Sequence, residues 1–171
     1  MPKNVRCNVE DQRVLDGKKK CEDVTKIGLP TLEHPTTDVK SSGLIMDIEM
    51  PDIYRFKAME LAVYHNNGTN CKRLARPGVH NIECRAARQN YKTKKGEVDL
   101  EVVKVRCKCV HKSTEKGEIE AGNPYGSTEK YSIIRYEEEM DGEVWQLVDS
   151  TTGQIIIDGE DYSSNIPNLL D

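Results

Sequence analysis

The clearest alternation of apolar and polar positions lies in residues 97–110. Val98, Leu100 and Val102 share one phase, and Val103, Val105, Cys107 and Cys109 continue in the other. A one-residue change of phase inside a strand is the signature of a β-bulge, predicted here near Val102–Val103. Cys107 and Cys109 then face a core, with Lys104, Arg106 and Lys108 on the opposite side. Residues 130–136, 143–148 and 154–158 predict three further strands. Asp141-Gly142 turns the chain between the first two, and Ser150-Thr151-Thr152-Gly153 between the last two. Trp145 with Leu147, and Ile133 with Ile155 and Ile157, supply the apolar side of this antiparallel meander, and residues 163–171 read as a frayed end. Residues 56–64 predict a strand that returns through Cys71 by way of the Asn67-Gly68 pair, a strong hairpin signal.

Residues 1–50 break any apolar period and read as an extended arm with short strands. Within it, Asp16-Gly17 forms a turn between Cys7 and Cys21, so a local Cys7–Cys21 bond would close that loop. The chain has 171 residues, 36% hydrophobic, 32% charged, with a mean hydropathy of −0.68. That suits one compact domain with a tail. We divide it into the arm (1–50), a stapled β core (51–112), and an acidic meander with its C-terminus (113–171) packed on that core. No apolar run approaches the ~18 residues that span a bilayer, so membrane insertion is not expected.

Charge sharpens the division. Residues 1–71 carry a net −1, residues 72–112 a net +8 and residues 113–171 a net −11, a dipole hidden by the overall −4. The row Lys104, Arg106 and Lys108, with Lys94, Lys95 and Lys112 nearby, is a candidate site for an anionic partner such as a heparin-like glycan. Nucleic acid is less attractive, because Tyr91 is the one aromatic residue available for stacking there. If the acidic segment packs on this face, Glu137-Glu138-Glu139 would screen it.

Six cysteines, an even and scattered set, point to disulfides. Structural zinc (Cys107, Cys109 and His111 with Cys71 or Cys84) and free buried thiols are the alternatives. Residues 1–6 hold no apolar signal segment, whereas Asn67-Gly68-Thr69 is a glycosylation sequon; a mature secreted chain behind a start Met reconciles the two. No zinc-protease, nucleophile-elbow or phosphate-loop motif is present, and the four histidines lie apart. The sequence therefore predicts neither an enzyme nor a cofactor.

The Cys-x-Cys ending a long strand, Val105-Arg106-Cys107-Lys108-Cys109-Val110, together with Pro77-x-Val79 running to Ile82-Glu83-Cys84, resembles the interleukin-17-type cystine-knot cytokines. The resemblance covers residues 77–110 and departs from the family after Cys84, where a second cysteine is missing. It implies that Cys71 and Cys84 reach Cys107 and Cys109, in the order Cys71–Cys107 and Cys84–Cys109. The expected fold is mainly β: an antiparallel, disulfide-stapled domain, sandwich-like or cystine-knot-like, with a C-terminal meander. The expected function is that of a secreted, non-enzymatic protein-binding domain, a cytokine-like ligand or receptor modulator partnered by a receptor or ligand, with a homodimer also open. A structural extracellular or virion-surface domain and an intracellular zinc module are the rival classes.

Overall fold

A computed structural model describes residues 4–163. Twelve strands follow one another: β1 (Asn4–Asp16), β2 (Lys19–Cys21), β3 (Val24–Gly28), β4 (Thr36–Val39), β5 (Ile48–Pro51), β6 (Glu60–His65), β7 (Val79–Lys92), β8 (Glu97–Lys116), β9 (Ser127–Met140), β10 (Glu143–Asp149), β11 (Gln154–Ile157) and β12 (Glu160–Asp161). A 3-10 helix, Thr69–Ala75, interrupts them between β6 and β7. Ten strands form one antiparallel sheet in the order β12-β11-β10-β9-β8-β7-β1-β2, with β6 pairing β9 and β3 pairing β6; β4 and β5 form a separate hairpin. The fold is mainly β and antiparallel, as the strand patterns predict, and the meander runs through β9, β10 and β11 with Asp141 and Gly142 both at positive φ in the first turn.

The sheet is rolled rather than split into a sandwich. Two of its three ends, β2 and β3, are joined by Glu22-Asp23 alone, and Gln12 Nε2 donates to the Thr25 carbonyl at 3.0 Å, tying β1 to β3. Long β9 makes the roll possible because its halves serve different neighbours. Ser127–Ser132 pair with β6, and Arg135–Met140 pair with β10. At the fork, Ile133 N donates to Met59 O (3.0 Å) and Ser150 N donates to Ile134 O (3.1 Å), so successive residues are bound to diverging strands. Val14, Leu61, Val63, Ile82, Val105, Cys107, Cys109 and Tyr131 fill the interior. The 3-10 helix presents Cys71 and Leu74 to them, the i, i+3 spacing placing both on one face.

Several expectations are corrected. The β7–β8 register runs without a shift from Val79–Val110 to Lys92–Glu97, so no bulge lies at Val102–Val103. Val98, Leu100 and Val102 simply remain on the exposed face. The irregularities against β9 sit instead between Lys108 and Cys109 and between His111 and Ser113. The Asn67-Gly68 pair does not make a hairpin. Asn67 takes φ 55°, but its amide donates to Tyr125 O (3.1 Å) and accepts from Ser127 Oγ (2.8 Å), and the chain enters the 3-10 helix. The frayed end expected at 163–171 lies, apart from Ser163, outside the described residues.

All six cysteines are free thiols, so the stapled architecture is overturned. Val14 pairs with Cys21, whereas Cys7 lies seven residues further along β1, ~23 Å at strand rise, far beyond the ~7 Å Cα limit for a disulfide. Cys109 sits opposite His80, and Cys84 is four residues from that point, ~13 Å, which excludes Cys84–Cys109. The Cys71 thiol is turned to the Glu22 carbonyl instead of toward Cys107.

Candidate interaction surfaces

A buried polar network crosses the wall formed by β6, β9 and β8. Glu129, 1% exposed, accepts from Thr114 Oγ1 (2.5 Å), His111 Nε2 (2.8 Å) and His65 Nε2 (3.3 Å). Asn67 N donates to His65 Nδ1, which leaves the imidazole hydrogen on Nε2. Burial pushes the Glu129 carboxyl up, but the hydrogen bonds outweigh it and hold the group below its ordinary range. Tyr131 OH donates to Leu74 O (2.5 Å), locking the helix to the wall. His80 bridges Asp16 Oδ2 (2.8 Å) and Arg76 O (2.7 Å). The network joins β6, β8 and β9 through buried side chains. The zinc alternative finds no support: among the described residues no group of three or more His, Cys, Asp or Glu is placed to hold a metal ion.

The predicted basic row is interleaved with acid. Arg106 NH1 pairs with Glu139 (2.8 Å) and Glu137 (3.3 Å), and its Nε with Glu83 (3.6 Å). Lys104 faces Glu139 across the ladder, Lys108 faces Arg135, and Lys112 pairs with Glu60 at 2.9 Å. Lys94 and Lys95 lie apart from the row, in the turn between β7 and β8. The acidic run thus packs against this face through central strand β9; a chain ending at Thr114 would lose that strand and expose a core edge.

What the surface does offer is apolar. The β4–β5 hairpin carries Leu44, Ile45 and Met46 at its tip, Ile45 fully exposed and Met46 75% exposed. Val98, Leu100 and Val102 line the outer face of β8, with Tyr91 and Val5 continuing the Val98 row across β7 and β1. A cavity of about 260 Å³ opens between Ile53, Phe56, Ile155, Ile157 and Tyr162. Sequence reasoning missed these surfaces. It assigned Val98, Leu100 and Val102 to a core, and it passed over Leu44-Ile45-Met46, an apolar run between Ser41-Ser42-Gly43 and Asp47 that lacks any strand period.

The fold has solved counterparts. The tube–sheath complex of an extracellular contractile injection system (PVC, extended state) superposes with a TM-score of 0.55 at 11% identity, over 78% of this chain and 90% of that one. The tube-terminating cap of the anti-feeding prophage gives 0.56 at 10% identity, over the same shares. No curated protein matches the sequence. The resemblance of residues 77–110 to interleukin-17-type cytokines is thereby overturned, and with it the cystine-knot and cytokine-like readings; Cys-x-Cys here is two core thiols on one strand. The model of the phage tail tube protein FII family matches residues 12–170, and the chain belongs to that family.

Proposed function

We propose that this protein is the structural subunit of a tube, polymerising with copies of itself within a phage tail or a related extracellular injection particle. The reading has no catalytic step. It replaces the receptor and heparin partners with other tube subunits, and with the sheath and cap proteins that surround and end such a tube. The three segments 1–50, 51–112 and 113–171 act in it as one unit, since β1 pairs with β7 and β8 with β9.

The observation that carries the proposal is the β4–β5 tip. A lone subunit gains nothing from holding Ile45 and Met46 in water, whereas an exposed apolar element on a hairpin separate from the main sheet is available to a protein interface. The outer β8 row is a second surface of the same kind. Tip and row are different patches, so contacts that use both are head-to-tail, and such contacts propagate into rings or filaments.

The test is self-assembly of the purified chain, followed by sedimentation velocity and negative-stain microscopy. Tubes or rings with a central channel are expected, and the pair Ile45→Ser with Met46→Ser leaves a folded, unassembled chain. A wild-type chain that stays monomeric at every concentration and salt overturns the proposal.

A further inference from the structure

A cleft of about 430 Å³ lies where the β1–β2 turn meets the end of the 3-10 helix. It is lined by Lys18, Lys19, Arg73 and Arg76, with Pro77 and Val79 as its apolar floor. Val79 is an exposed large hydrophobe. The one carboxylate in the lining, Asp16, is taken by His80 at 2.8 Å. Arg73 is committed to the architecture: its NH2 donates to the carbonyls of Asp16 and Lys19, and its buried Nε has no partner. Among the described residues, the side chains of Lys18, Lys19 and Arg76 have no ion-pair partner. The cleft is therefore a cationic rim around an apolar floor, with its positive charge unneutralised.

The complementary shape is present on the same chain. The loop joining β8 to β9 is closed at its base by Gly117 N donating to Gly126 O (2.9 Å) and carries Glu118-Ile119-Glu120. Ile119 is 84% exposed, Glu118 has no partner among the described residues, and Glu120 only accepts from Asn123 within the loop. One apolar side chain between two carboxylates matches an apolar floor between cations.

The loop cannot fill the cleft of its own chain. His111 N donates to Gly78 O beside the cleft, and the chain then runs along paired β8 to Lys116 before it reaches Gly117, six residues and ~20 Å away. We infer that the 117–126 loop of one copy docks in the basic cleft of the next, with Ile119 on Pro77 and Val79 and with Glu118 and Glu120 against Arg76, Lys18 and Lys19. The inference rests on the tube reading and gives it a direction, because loop and cleft are different patches and the contact is head-to-tail.

Charge reversal tests it on the full chain. A cleft variant (Lys19→Glu with Arg76→Glu) and a loop variant (Glu118→Lys with Glu120→Lys) change exposed side chains, and circular dichroism checks that each stays folded. Each alone is expected to lower the assembled fraction at least about tenfold, since each puts like charges face to face across the contact. Mixing the two variants restores assembly, because each loop then meets a cleft of opposite sign. Combining all four changes in one chain restores it as well. Wild-type assembly with unimpaired single variants, or impaired variants that neither mixing nor combination rescues, overturns this contact and leaves the tube reading standing. A wild-type chain that never assembles overturns both.

Discussion

Glu129 and His111 meet at 2.8 Å inside the wall of the barrel, one on β9 and the other on β8, with Thr114 and His65 donating to the same carboxylate. Three donors converge on one buried anion, so removing the anion strands all three. Glu129→Ala is expected to cost about 2–4 kcal/mol by chemical denaturation, above the ~1 kcal/mol of an average point substitution, and Glu129→Gln less.

The same carboxyl sets an acid limit. Its folded value lies below the ordinary 4.5, so the unfolded chain takes up the proton first as pH falls. The stabilisation is fully present above about pH 4.5 and is lost progressively below it, as pH drops toward the folded value. Urea midpoints measured from pH 7 down to pH 3 are expected to fall below pH 4.5, and the part due to Glu129 disappears in Glu129→Gln.

Tyr131→Phe isolates one bond. The hydroxyl donates to Leu74 O at 2.5 Å, and Tyr131 and Leu74 are both fully buried. Deleting it leaves a carbonyl without its donor, at a cost of about 1–2 kcal/mol, or roughly 2–6 °C in Tm for a chain of this size. Differential scanning calorimetry measures the shift.

Gly117 has a steric reason to be glycine. A Cβ there would stand 2.2 Å from the Gly126 carbonyl oxygen, a backbone atom with no freedom to swing aside. Gly117→Ala is expected to open the base of the 117–126 loop, detected as faster exchange of the backbone amide at position 117 than in the unsubstituted chain and as cleavage by proteases within the loop, while the barrel retains its far-ultraviolet spectrum.

Thiol labelling separates the free-cysteine interior from a disulfide framework. Cys7 is exposed and the other five are buried; burial pushes Cys71 up to about 11 and Cys109 up to about 12, and raises Cys84 and Cys107 as well. The native, unassembled chain is expected to give one fast equivalent with a thiol reagent, and six after denaturation without reductant. Cys7→Ser removes the fast one.

Strands and turns were legible where one face of a strand is wet. The alternation around Val105, Cys107 and Cys109, and the Asp141-Gly142 turn, correspond to observed features because burial and positive φ leave local marks. The readings that failed share another origin. Alternation says which residues lie on one face but not which face is covered, so Val98, Leu100 and Val102 looked like core when they are surface. An interface between copies is apolar for the same reason as a core, and composition cannot tell them apart. The cysteines misled through their even number, since spacing in sequence does not reveal that Cys7 and Cys21 lie far apart along a strand pair. The cleft joins Lys18 and Lys19 to Arg73 and Arg76 from a distant element, a juxtaposition created by the 3-10 helix that the Asn67-Gly68 signal concealed.

The uninterrupted β7–β8 ladder also dictates an order of events. Its fourteen pairs begin at Lys92–Glu97, across a four-residue turn, whereas β6 must find β9 at separations of 62 to 72 residues. Loop closure grows costlier with separation, so the hairpin zips first and serves as the template on which β9 is laid, while β6 and β1, the latter 66 to 88 residues from its partners on β7, seal the barrel last. Until that seal forms, the apolar outer row of β8 and the unfinished inner face are open to water together. On the tube reading, newly made subunits are then most prone to wrong association before their own barrels close, and the speed of closure limits how fast sound subunits reach a growing end.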